Sequence, residues 1–274
     1  MAARKLPPFH HHLPRGVLAA GLLLFLIIGI DSSGFALIQP SITLHHTPTP
    51  TRPPTSSPTP SPTPLPPLPL VHLLWHGNPN LREIALTFDD GPAPDTPVFL
   101  NILRKHHIRA TFFMLGIWVQ QFPDITRAVV ADGNAIGNHT WNHPNLTHLS
   151  ANQVIQQITD TRNIIQQVTG IVPTLVRPPY GAYTVQLLNT VASLKCSTVI
   201  WNSDPRDWSR PGVSSIITYV LNNAQNGSII LMHDGGGDRS QTIAALPTII
   251  EQLQARGFTF VTIPQMMLHL PPSS

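Results

Sequence analysis

From His72 to Ser274 the sequence alternates short β-rich apolar runs with amphipathic helical patterns, and this alternation constrains the fold more than any other feature. The strand candidates are IALTF (84–88), ATFFML (110–115), AIGN (135–138), TLVR (174–177), STVIW (197–201), SIILM (228–232) and FTFVTI (258–263). Helical patterns lie between them. The clearest is SANQVIQQITDTRNIIQQVTG, where Ser150 and Gln153 form a capping box and Gly170 ends the pattern. A second, TIAALPTIIEQLQARG, ends at Gly257, with Pro247 expected in its first turns or at a kink. Strands that alternate with helices imply βαβ units and a parallel sheet. The sheet is then either open and doubly wound or closed as a barrel. No internal repeat and no G-x-G-x-x-G loop is present; the GGG at 235–237 follows a strand but lacks that pattern.

The chain before this region is of a different kind. Residues 1–38 read as a signal peptide or membrane anchor, with a basic flank, MAARKLPPFHHHLPR, followed by 14 apolar residues from Val17 to Ile30. Either reading leaves the rest of the chain outside the cytoplasm, because the basic flank stays inside. Residues 39–71 read as a disordered linker. Pro, Thr and Ser make up 23 of the 31 residues from 40 to 70, too little apolar matter for a core, and such a chain extends as a polyproline-like spacer. Residues 72–274 are the expected catalytic domain. From His72 onward the 12 basic residues equal the 12 acidic ones, so the overall net charge of +3 is no sign of nucleic-acid binding, and a neutral glycan suits this domain at least as well. The lone Cys196 allows no internal disulfide and reads as a buried core thiol.

The polar residues are not scattered. DDGP follows the first strand candidate, HTWNHP the third, RPPYG the fourth, NSDPRDW the fifth and HDGGGD the sixth. In β/α barrels the chemistry gathers at the C-terminal ends of the strands. His139 and His143 stand four apart, which on a helical turn would bring both imidazoles to one face. With a carboxylate from another strand end they describe a catalytic divalent site for zinc, iron, cobalt or manganese.

TFDDGP, HTWNHP, RPPYG, DPRDW and LMHD, in this order, resemble the five motifs of the polysaccharide deacetylases, the NodB-homology domain of carbohydrate esterase family 4. The resemblance covers about residues 80 to 265. It implies an α/β fold, a distorted (β/α) barrel of about seven parallel strands, and metal-dependent removal of acetyl groups from polymers such as peptidoglycan, chitin or xylan. By resemblance Asp90, His139 and His143 are the metal ligands and Asp89 is the general base, oriented by Arg177. His233 is the general acid, held by Asp207, with Asp204 as the alternative. The backbone N–H of Tyr180 serves the oxyanion, and Leu231 and Trp208 wall the pocket for the acetyl methyl. Trp141, between the two histidines, is a candidate for the glycan groove. The expected cofactor is one divalent ion, zinc first, with cobalt, manganese or iron as alternatives.

The expected activity is deacetylation of N-acetylglucosamine units in peptidoglycan or chitin-like oligomers. The expected partner is a polysaccharide, not a nucleic acid, and the expected state a monomer. The competing readings are an O-acetyl esterase on xylan or another glycan, and a silent wall-binding module. The last sits badly with a sequence that keeps base, ligands and acid together.

Overall fold

A computed structural model of the chain describes residue 68 and residues 70–271. The export segment and most of the linker expected from the sequence lie outside the described residues. Among the described residues no helix is long and apolar enough to cross a membrane.

The strands are β1 (Leu73–Leu74), β2 (Glu83–Asp89), β3 (Thr111–Met114), β4 (Ala135–Asn138), β5 (Leu175–Val176), β6 (Ser197–Val199), β7 (Ser228–His233) and β8 (Thr259–Phe260). The helices are α1 (Thr96–Lys105), α2 (Gly116–Gln121), α3 (Pro123–Ala131), α4 (Ala151–Thr169), α5 (Val185–Ser193), α6 (Val213–Asn223), α7 (Ser240–Ala255) and α8 (Ile263–Leu268). All pairings are parallel, in the order β1-β6-β5-β4-β3-β2-β7, with β8 also on β2. All seven strand candidates of the sequence are strands. The eighth, β1, is two residues long and was not expected.

The sheet curls into a distorted barrel. Beyond β6 the chain turns to β7, where Leu231 N–H donates to Ser203 O at 2.9 Å and Ile229 N–H donates to the Asn202 side chain at 2.8 Å. At the other end of β6 the gap is filled by β1, which pairs Leu73 and Leu74 with Thr198 and Val199. Val71, the last residue of the expected linker, donates its N–H to Ser197 Oγ at 2.9 Å.

Strand parity decides which groups reach the inside, because side chains alternate between the two faces. Ile84, Leu86 and Phe88 of β2 pack outward with Phe112, Ile230, Met232 and the helices α1, α6 and α7. Ala85 belongs to a second, inner cluster with Phe113, Leu175, Val199, Ile229 and Met266. Thr87 and Asp89 share that inner parity, so the last residue of β2 delivers its carboxylate to the interior at the C-terminal mouth.

The expected capping box of α4 is present, and Gly170 ends the helix in the left-handed region at φ 76°. Of the two places expected for Pro247, the first turns are excluded. It stands in the interior of α7, which begins at Ser240, rather than in its first turns.

Candidate active site

Asp89 and Arg177 form the buried centre of the site. Arg177, with no solvent exposure, donates from Nη1 to Asp89 Oδ1 at 2.7 Å and to Thr87 Oγ1 at 2.8 Å. Its remaining nitrogens face Val199 O and Ile200 O at 3.3 and 3.4 Å. The guanidinium carbon lies 4.0 Å from the Phe113 ring centre. The side chain is therefore fixed by polar bonds along its edge and an aromatic face beneath. Burial pushes the Asp89 carboxyl above its ordinary range, while the Arg177 charge opposes that rise. The result is a carboxylate of raised basicity held in one orientation.

Asp90 follows immediately but leaves the strand. Its φ of 71° lies in the left-handed region, which Asp tolerates better than most residues, and this turns its carboxylate away from Asp89 toward β4. Asp90 Oδ1 lies 3.6 Å from His139 Nε2 and 3.5 Å from His143 Nε2. One ligand atom from each of the three residues falls within a span of 4.8 Å. His139 Nδ1 donates to Arg177 O at 2.8 Å, so its Nε2 lone pair faces Asp90. Burial lowers the His139 pKa to about 3, against the smaller opposing effect of Asp90, and the ring is neutral, as a metal ligand must be. Asp90 Oδ1 is buried and accepts no hydrogen bond within the described residues. An acceptor oxygen and two imidazole nitrogens facing one point fit a divalent cation.

The two histidines do not lie on a helical turn, as their spacing had implied. His139 follows β4, and Thr140 and His143 both take left-handed backbone angles, φ 75° and 64°. The loop is held by Asn138 Oδ1, which accepts from Thr140 N–H at 2.9 Å, and by Thr140 Oγ1, which accepts from His143 N–H at 3.1 Å. Gln157 of α4 accepts from Trp141 N–H at 2.8 Å. Trp141 is not among the residues that line the cavity of Asp89 and His233. It packs over Gly116, where a Cβ would come within 2.4 Å of its ring.

The third element is His233, at the end of β7. Its Nδ1 donates to Asp207 Oδ1 at 2.7 Å and its backbone N–H to Asp207 Oδ2 at 2.9 Å. Thr242 Oγ1 also donates to Oδ2, at 2.8 Å. Burial lowers the His233 pKa, but the hydrogen bond and charge of Asp207 outweigh it, and the net shift is upward. Asp204, the alternative partner, instead caps its own turn by accepting from Arg206 N–H at 2.8 Å.

These groups open into one cavity of about 510 Å³. Leu231 is buried in its wall, while Trp208 and Tyr180 are exposed at its rim. The Tyr180 ring stands edge-on to His143, 4.7 Å between centres. Trp201 also lines the cavity, packing on Gly181 and lying 5.6 Å from the Arg177 guanidinium.

Two further residues escaped the sequence reading. Asp234 is buried and accepts from Thr96 Oγ1 at 2.5 Å, and burial together with Asp90 pushes its pKa up to about 7. Its carboxylate rests on Gly91, where a Cβ would come within 2.3 Å of it. Arg239 lines the cavity beside Gly236. A buried acid directly after the β7 histidine was the only available signal for the first, and nothing local marked the second.

The chain is similar to known proteins. A family model described as polysaccharide deacetylase matches residues 76–199. A peptidoglycan-N-acetylglucosamine deacetylase of Bacillus cereus is 41% identical over 202 residues, covering 73% of this chain and 94% of that protein. A chitooligosaccharide deacetylase of Azorhizobium caulinodans is 41% identical over 198 residues, covering 68% of this chain and 94% of that one. The crystal structure of the Bc1960 peptidoglycan N-acetylglucosamine deacetylase superposes with a TM-score of 0.70 at 37% identity, covering 72% of this chain and 92% of that chain.

Proposed function

The chain belongs to the polysaccharide deacetylase family, and on that premise we propose that it hydrolyses the acetamide of N-acetylglucosamine units in peptidoglycan or chitin-like oligomers. The observation that carries this reading is the convergence of Asp89, the Asp90–His139–His143 group and His233 on one cavity. A divalent cation held by Asp90, His139 and His143, zinc first with cobalt, manganese or iron as alternatives, supplies Lewis acidity toward the acyl oxygen.

The chain's own residues account for the proton movements. Asp89 takes a proton from the attacking water, its basicity raised by burial and its orientation fixed by Arg177. Tyr180 offers its backbone N–H to the oxygen on which negative charge develops. His233 has Nδ1 committed to Asp207, so Nε2 is free to protonate the departing nitrogen. An amine needs that proton more than a sugar alkoxide does, and the dyad meets the requirement of an amide. Leu231 and Trp208 receive the methyl group, a preference worth roughly 1–3 kcal/mol.

Residues 1–38 would export or anchor the chain, and residues 39–71 would hold the catalytic domain away from the membrane, within reach of wall glycan. Acetate release from peptidoglycan, chito-oligomers and O-acetylated xylan, with defined added metals, tests the reading. Faster release from the N-acetylated substrates is expected. Preference for xylan would make the protein an O-acetyl esterase instead.

A further inference from the structure

None of these roles uses Arg239. It stands at the head of α7, is only 4% exposed, and lines the same cavity as Asp89 and His233. Its Nε donates to Gly235 O at 2.6 Å, and that is the only hydrogen bond its side chain makes among the described residues. No carboxylate oxygen of the described residues lies within 4.0 Å of its guanidinium. The contrast with Arg177 is direct, since that equally buried guanidinium has Asp89 at 2.7 Å. A buried cation without a counter-charge is costly unless a ligand supplies one.

The glycine loop explains how the guanidinium comes to stand there. At Gly235 a Cβ would fall 2.2 Å from Asp90 O, so the backbone passes directly against the metal-ligating turn. At Gly236 a Cβ would meet Asp90 Oδ2 at 2.7 Å and Arg239 Nη2 at 3.2 Å. Gly236 thus lies between the two groups, and the absence of a side chain lets the guanidinium stand close to the reacting end of the cavity. Asp89 is matched by Arg177, and Asp90 by the cation it would hold. Arg239 keeps a guanidinium with no carboxylate in contact among the described residues, and its fork is open to a ligand.

We propose that Arg239 is a specificity-determining residue that binds a carboxylate carried by the glycan beside the acetamide under attack. The inference rests on the deacetylase reading above and extends it to acid-bearing sugars. A guanidinium fork suits a carboxylate because two N–H groups can engage both oxygens at once. The acid could sit on the sugar itself or on an attached peptide.

The test compares kcat/KM on three glycans. The first is a peptide-free oligomer of N-acetylglucosamine and N-acetylmuramic acid. The second is the same oligomer with its lactyl carboxyl converted to an amide. The third bears a peptide on that carboxyl. The wild-type protein is expected to favour the free acid over the amide by about 10- to 100-fold, the range for a charge-assisted hydrogen bond. R239Q should remove that ratio, and R239K should keep part of it. A preference restored by the peptide would assign the carboxylate to the peptide rather than the sugar, still through Arg239. Equal rates on all three glycans with the wild-type protein overturn this proposal alone, and need no variant to fold. So does a ratio that R239Q leaves unchanged, including the case where R239Q alters only inhibition by added acetate. No acetate from any glycan overturns the deacetylase reading as well.

Discussion

Asp207→Asn isolates the contribution of the histidine dyad. Asp207 is buried and accepts three hydrogen bonds, from His233 N–H and Thr242 Oγ1 on one oxygen and from His233 Nδ1 on the other. An amide of the same shape has one acceptor atom and one donor group. With its oxygen kept by the two donors on the first side, its NH2 faces Nδ1. Nδ1 must then accept, and the ring is held in its neutral form. A hydrogen bond to a charged group contributes about 1.5–3 kcal/mol, so kcat/KM should fall by roughly 10- to 150-fold. The pH profile should also move in a definite direction. In the wild-type protein Asp207 outweighs burial and holds the His233 pKa above its ordinary value, so the acid form persists to higher pH. Without the carboxylate, burial is opposed only by the smaller effects of the Asp89 and Asp90 charges, the pKa falls, and the alkaline limb of kcat/KM moves to lower pH. Acetate release measured across pH on a chito-oligomer reads both effects, with a thermal melt to verify the fold. An unmoved alkaline limb would refute the assignment. So would an equal effect from Asp204→Asn, whose side chain lines the cavity but, among the described residues, bonds to the Arg206 N–H and not to His233.

Asp89→Asn should abolish turnover and leave metal content near wild type by elemental analysis; loss of metal would make Asp89 a ligand instead of the base. His139→Ala should lose metal and activity together, and stoichiometric metal in that variant would exclude it as a ligand. Arg177→Met breaks a buried pair and leaves the Asp89 carboxylate unmatched, at an expected cost of about 3–5 kcal/mol, read from urea unfolding. An unchanged midpoint would contradict the pairing. Gly91→Ala forces a methyl onto the Asp234 carboxylate and should destabilise by about 1–3 kcal/mol while lowering metal affinity. Wild-type metal binding in that variant would show that the contact does not set the position of Asp90.

The fold was legible where a local pattern carries it. Each long apolar run became a strand, and the capping box and Gly170 bounded α4, because these signals depend on neighbours in sequence. β1 was not legible: two residues carry no periodicity, and only their pairing with β6 makes them a strand. The site divides in the same way. The different directions taken by the Asp89 and Asp90 carboxylates follow from strand parity and one left-handed residue. The helical reading of His139 and His143 failed because a spacing of four is also compatible with a loop stabilised by Gln157, a residue on a later helix. The choice between Asp204 and Asp207 depended on contacts with His233 and Thr242, 26 and 35 residues further on. Trp141 and Trp201 were not distinguishable in sequence for the same reason, since only packing against Gly116 or Gly181 tells them apart. Arg239 was silent in sequence, because its significance lies in its place in the cavity and in having no carboxylate in contact among the described residues.

The most direct test of the account is acetate release from an N-acetylglucosamine oligomer by one preparation of the protein, carried through chelation and then restored with stoichiometric zinc. The account predicts acetate and free amine in equal amounts, background release after chelation, and recovery on adding metal back. Chelated protein that is fully active, or folded and metal-loaded protein that releases nothing from any acetylated glycan, would contradict it.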